Sequence, residues 1–169
     1  MMKKNIVLVG FMGAGKTGVS RYLAEVLKRP RISTDELIEK NEKRSIVQIF
    51  QEAGEDHFRR LEKKIVQELA QQENLIIDCG GGIVLQQENL DQLKKNGILV
   101  YLSASPEMVY QRVKNHPQRP LLNVLDPQTK IRKMLEARKF YYEQADFTID
   151  TNHKSVEQTA KEVLLTIGQ

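Results

Sequence analysis

The chain has 169 residues, 40% hydrophobic and 28% charged, the balance of a soluble globular protein; its length suits one domain, residues 1–169, with a core that needs no disulfide or structural metal. Its single cysteine, Cys79, excludes an internal disulfide and fits a reducing compartment, with the cytoplasm the simplest address. The formal charge of +4 is scattered, with Lys and Arg mostly alternating with Glu along helical stretches, so a small anionic ligand is expected rather than nucleic acid.

Two lysines ahead of Ile6-Val7-Leu8-Val9 have the look of a secretory leader, but the apolar run ends after four residues at Gly10. No later stretch approaches the ~20 apolar residues of a membrane span, so no membrane is expected and residues 5–9 read as a buried strand. Lys16 to Lys28 follows as an amphipathic helix, with Val19, Tyr22, Leu23, Val26 and Leu27 at helical spacing. Further strands are expected at 31–33, 75–78, 98–102 and 147–149. Between the second and third of the five lie one short and one long helix, within 45–72 and separated by Gly54.

Gly97 is placed to end a helix, while Ser105-Pro106 and Asp126-Pro127 each set a capping side chain before a proline at the first helical position. Alternating strands and helices imply a three-layer α/β fold, a parallel sheet with helices on both faces and ligands at the carboxyl ends of the strands. The proline-rich stretch 115–120 interrupts two helices and reads as a mobile loop.

Gly10-Phe11-Met12-Gly13-Ala14-Gly15-Lys16-Thr17 matches G-x-x-x-x-G-K-[ST], directly after a strand and directly before a helix. In such a P-loop, backbone N–H groups from Gly13 to Gly18 surround phosphate oxygens. Lys16 reaches the β and γ phosphates of ATP, and Thr17 holds Mg²⁺. The motif points to a nucleoside triphosphate site and leaves the acceptor unnamed.

Three segments follow in order: Ser33-Thr34-Asp35, Gly54 to Glu62, and Gly80-Gly81-Gly82. Ser45-Ile46, Ile49-Phe50, Arg119-Pro120-Leu121-Leu122, Arg138 with Tyr141, and Ala145-Asp146 add further matches. Together, over roughly residues 5–152, they resemble the shikimate kinases. The resemblance implies a P-loop kinase fold with a five-stranded parallel sheet, an acceptor-binding helical region (34–62) and a lid (113–126). It implies ATP-dependent phosphorylation of the shikimate 3-hydroxyl, on the way to chorismate and the aromatic amino acids, by a monomer. By the same resemblance Asp35 contacts the ring hydroxyls, Arg59 and Arg138 clamp the carboxylate, and the glycines 80–82 bring backbone to the acceptor. Arg119 is the lid arginine on the ATP phosphates, and Arg112 packs against adenine.

The residue types suit these roles: guanidinium forks match a planar carboxylate, and an aspartate at a strand end can orient a hydroxyl and accept its proton. Each also has an ordinary reading. Ser33 with Glu36 resembles a capping box around Asp35, Arg59 and Arg138 could be solvated helix residues, and the glycines an ordinary turn. The three histidines carry no assigned chemistry, and Cys79 reads as a small packed side chain. A gluconate-type kinase and a nucleotide-binding homologue without activity are the rival functions.

One departure stands out. Members of the family carry D-x-D at the second strand's end, the first aspartate helping to hold Mg²⁺ through water; here that position is Ser33. Where the family commonly has a small residue before Cys79, this chain has Asp78. Either Asp78 takes over as a metal-side carboxylate, or it is a strand-end residue and Mg²⁺ relies on Thr17, ATP and water.

Overall fold

The computed structural model describes residues 4–116 and 124–169; Arg119, half of the segment expected as a lid, and most of the loop expected at 115–120 lie outside the described residues. Strands β1 (Asn5–Val9), β2 (Arg31–Ser33), β3 (Ile76–Asp78), β4 (Gly97–Ser103) and β5 (Phe147–Asp150) form one five-stranded sheet in the order β2-β3-β1-β4-β5. Every neighbouring pair is parallel. Helices α1 (Lys16–Leu27), α2 (Thr34–Glu42), α3 (Ile46–Leu69), α4 (Gln87–Asn96), α5 (Pro106–Val113), α6 (Pro127–Tyr142) and α7 (Val156–Ile167) make the connections and cover the sheet, with a 3-10 turn at Ile83–Leu85.

The central strand β1 is buried throughout, and its alternation divides the core in two. Ile6 and Leu8 pack with Val19 and Leu23 of α1 and Ala160 and Val163 of α7. Val7 and Val9 face the other way, toward Ile65 and Leu69 of α3, Leu93 of α4, Val109 of α5 and Ile131 of α6. Helices therefore lie on both faces, as the strand-helix alternation implied.

Local chemistry sets the ends of these elements. Ser105 and Asp126 accept hydrogen bonds from Met108 N (3.2 Å) and Thr129 N (3.0 Å), each ahead of its proline. Gly54 adopts φ 80°, ψ 173°, which interrupts α3 between the short and long helical stretches that the sequence suggested. Gly97 ends α4 in extended rather than left-handed backbone and starts β4 at once. Its need is space: a Cβ there would lie 2.8 Å from Val7 Cγ2. Among the described residues no helix is long and apolar enough to cross a membrane.

Candidate active site

The carboxyl ends of β1, β2 and β3 open into a cavity of about 440 Å³, within the range of small-ligand sites. Its lining joins the P-loop (Gly13, Gly15, Lys16, Thr17, Gly18) to Ser33, Asp35, Arg59, Asp78, Gly80, Gly81, Gly82 and Arg138. Residues far apart in sequence thus meet at one sheet edge. Ala14 is buried under the loop, 1% exposed.

On the nucleotide side the chain path is local. Gly15 takes a left-handed conformation (φ 94°) as the N-cap of α1, so the loop turns into the helix without a Cβ penalty. Lys16 Nζ donates to Gly10 O (2.8 Å) and Phe11 O (3.0 Å), lying across the loop it serves. Arg112 sits behind it, donating to Gly13 O (3.0 Å), Thr151 Oγ1 (3.0 Å) and Thr151 O (2.7 Å), and so ties the P-loop to the loop after β5.

The acceptor side is built from half-buried charge. Ser33 caps α2 by accepting from Glu36 N at 3.3 Å, while the Glu36 carboxylate turns to Arg31 instead of closing a capping box. Capping by Ser33 leaves the Asp35 carboxylate to the cavity. Burial raises the pKa of that carboxyl above its ordinary value, against the pull of Lys16, which favours a proton-accepting role closer to neutral pH. Arg59 donates to Glu62 Oε2 (2.6 Å) and Glu55 Oε1 (2.9 Å). Arg138 donates to Gly81 O (3.2 Å) and lies 5.3 Å over the Phe11 ring.

The three glycines answer to these three side chains. A Cβ on Gly80 would collide with Asp35 Oδ1, and one on Gly82 with the Arg59 guanidinium; at Gly81 it would lie 3.7 Å from Arg138 Nη1. Glycine here supplies room for functional side chains to approach backbone. Gly80 N donates to Thr34 Oγ1 (2.9 Å), which secures the turn from the β2 side.

Glu62 ends the Gly54–Glu62 segment, and the sequence alone points to no role for it. It is 1% exposed, lines the cavity and pairs with Arg59. Burial, only partly offset by Arg59, pushes its carboxyl up to about 7. The available signal was spacing, since Arg59 and Glu62 are three apart on one helix face. Cys79 is buried in the core, and burial drives its thiol pKa well above the ordinary value, so it stays a packed thiol.

Asp78 and Ser33 are register partners across β3 and β2 and line the same cavity as Thr17. Asp78 Oδ2 accepts from Arg31 Nη2 (2.8 Å) and Ser20 Oγ (3.3 Å), and Arg31 Nε also donates to Ser20 Oγ (2.8 Å). Among the described residues no group of three or more His, Cys, Asp or Glu side chains could hold a metal by itself. The donors suit Mg²⁺ only in the shared manner of nucleotide sites, with Thr17 and one carboxylate beside phosphate oxygens and water.

A family model for shikimate kinase matches residues 12–168. The chain belongs to the shikimate kinase family. The shikimate kinase of Caldanaerobacter subterraneus subsp. tengcongensis is 45% identical over 161 residues, covering 95% of this chain and 94% of that one. A shikimate kinase from Acinetobacter baumannii, solved in complex with shikimate, superposes with a TM-score of 0.93 at 40% identity, over 98% of this chain and 93% of its own. A gluconokinase from Sinorhizobium meliloti shares the fold, with a TM-score of 0.65 at 18% identity. The kinase activity that the resemblance implied therefore stands with the family as a whole.

Proposed function

We propose that this chain transfers the γ-phosphoryl group of ATP to the 3-hydroxyl of shikimate, giving shikimate 3-phosphate and ADP. The carrying observation is one cavity in which the P-loop meets a half-buried aspartate and two arginines, Asp35, Arg59 and Arg138. Lys16 meets the transferring phosphoryl group, and Asp35 orients the acceptor hydroxyl and takes its proton. Arg59, fixed by Glu62 and Glu55, holds the carboxylate together with Arg138 and the backbone of glycines 80–82. Residues 34–62 form the acceptor region, while the segment 113–126 with Arg119 closes over the phosphates and keeps water out. Arg112 borders the nucleotide base.

Thr17 and Asp78 would hold Mg²⁺ brought in with ATP, and the ion would neutralise phosphate charge there. Asp78 has Oδ2 committed to Arg31 and Ser20, which leaves Oδ1 for that role. The register pairing of Ser33 with Asp78 supports a carboxylate moved one strand across the sheet. The enzyme acts as a cytoplasmic monomer.

An ADP-release assay over a panel of hydroxylated acids tests the assignment. Shikimate should stimulate ADP release strongly and gluconate should not; the reverse pattern would sink it in favour of the gluconate-type rival.

A further inference from the structure

A turn of three successive glycines has no side chains to hold it, so its shape depends on what grips its backbone from outside. Gly80 is held by Thr34, and the next grip comes from α6. Tyr142 Oη donates to the Gly81 carbonyl at 2.7 Å, and Arg138 Nη1 donates to the same oxygen at 3.2 Å from one helical turn earlier. A carbonyl oxygen has two lone pairs, and both are engaged here.

Tyr142 is 0% exposed, and its ring stacks on Tyr101 of β4 with centroids 4.8 Å apart and planes 5° from parallel. Burial pushes its phenol up to about 12, so the hydroxyl remains a donor throughout the neutral range. The grip is therefore rigid and permanently protonated. Arg138 is differently placed: it lines the cavity and holds Gly81 O through Nη1 alone, so a turn of the guanidinium toward an acceptor carboxylate takes that one donor away from the carbonyl. Without a second donor, that movement would leave the half-buried Gly81 carbonyl without a protein partner to fix its direction. The N–H of Gly82, on the same rigid peptide plane, would lose its setting too.

We propose that Tyr142 is a positioning residue for the acceptor: its hydroxyl anchors the Gly81 carbonyl, so that glycines 80–82 keep their shape while Arg138 turns to the acceptor carboxylate. This rests on the reading of Arg138 as a carboxylate clamp. The hydroxyl acts through the glycine turn and the arginine and does not itself contact the reacting atoms.

Tyr142→Phe keeps the ring and its stacking and removes one oxygen, and Tyr101→Phe serves as control because no described contact joins its hydroxyl to the turn. Calorimetric titration with shikimate, and separately with ADP and Mg²⁺, should show about a tenfold weaker shikimate affinity for Tyr142→Phe. ADP affinity should stay within about twofold, and Tyr101→Phe should bind both as wild type does. In an Arg138→Ala background, adding Tyr142→Phe should cost less than about twofold, since no arginine remains to be released. A purely structural tyrosine predicts the same factor in both backgrounds and a parallel loss for ADP; either result, or unchanged shikimate affinity in Tyr142→Phe, overturns the proposal. If Tyr142→Phe does not fold, its hydroxyl serves the fold at large and the proposal falls. Should Arg138→Ala alone leave shikimate affinity intact, the clamp reading fails and this proposal falls with it; an Arg138 effect without a Tyr142 effect removes only the role of Tyr142.

Discussion

The two halves of the cavity are made in different ways. The nucleotide half is one contiguous stretch, Gly10 to Gly18, in which the ligand-facing groups are largely backbone N–H groups preset by a strand end and a helix start. The acceptor half is assembled from α2, α3, the glycine turn and α6, with charged side chains from Asp35 to Arg138 that are half-buried or buried, Arg59 and Glu62 among them paired. A backbone cradle suits phosphates because every NTP presents them alike. Selecting one acceptor takes charges held in fixed directions, and holding buried charge takes partners from several elements.

If the halves are separable, acceptor-side substitutions should spare nucleotide binding. The largest effect is expected from Asp35→Asn, which keeps shape and hydrogen-bond reach but removes the proton-accepting charge; kcat should fall about 10²–10⁴-fold with acceptor KM much less changed. Steady-state kinetics within a few-fold of wild type would make Asp35 a bystander. Next comes Arg138→Ala, which should weaken shikimate binding by about 1.5–3 kcal/mol while ADP binding is nearly intact. Equal losses for both ligands in calorimetry would mean the halves are not independent.

A third prediction concerns the cost of holding acceptor-side charge. Glu62 titrates near 7 when folded against an ordinary value of 4.5, so between these pH values the folded chain binds more protons than the unfolded one. Stability should then fall as pH rises through this window, by about 3 kcal/mol from this group. Urea unfolding at pH 5 and pH 8 should show the drop in wild type and a flatter profile in Glu62→Gln. Identical pH slopes would show that Arg59 fully offsets burial.

The smallest effect is expected at the boundary between the halves. Asp78→Ala should raise the Mg²⁺ concentration for half-maximal activity by about tenfold and weaken Mn²⁺ binding to the ADP complex, read by paramagnetic relaxation. Ser33→Asp should recover part of that loss, since the two positions are register partners. Unchanged metal dependence in Asp78→Ala would leave Asp78 as the structural partner of Arg31 and Ser20.

Much of the fold was open to reading because it rests on local rules. The strands at 5–9 and 31–33 coincide with the observed ones, and β3, β4 and β5 differ by one residue at their ends. The proline-marked helix starts at Pro106 and Pro127 follow from caps inside a single turn of chain. The candidate site was less open, and the family resemblance had to carry Asp35, Arg59 and Arg138. Residue by residue, Asp35 reads as part of the cap that Ser33 and Glu36 suggest; the structure keeps Ser33 as the cap and places Asp35 in the cavity. Nothing local marks Glu62 or Tyr142, because an acid on a helix and an aromatic near a helix end are ordinary until their surroundings are known.

By itself, then, the sequence determined the P-loop, the alternation of strands and helices, and the family. Each depends on spacing along the chain or on the order of motifs. Tertiary structure alone decided that Ser33 lies beside Asp78, that Asp78 is shared with Arg31 and Ser20, and that Arg138 and Tyr142 meet on one carbonyl. Contacts such as Asp78 with Ser20, 58 residues apart, and Tyr142 with Gly81, 61 apart, arise because parallel strands bring distant chain segments to one sheet edge, and no local periodicity encodes which side chains then touch.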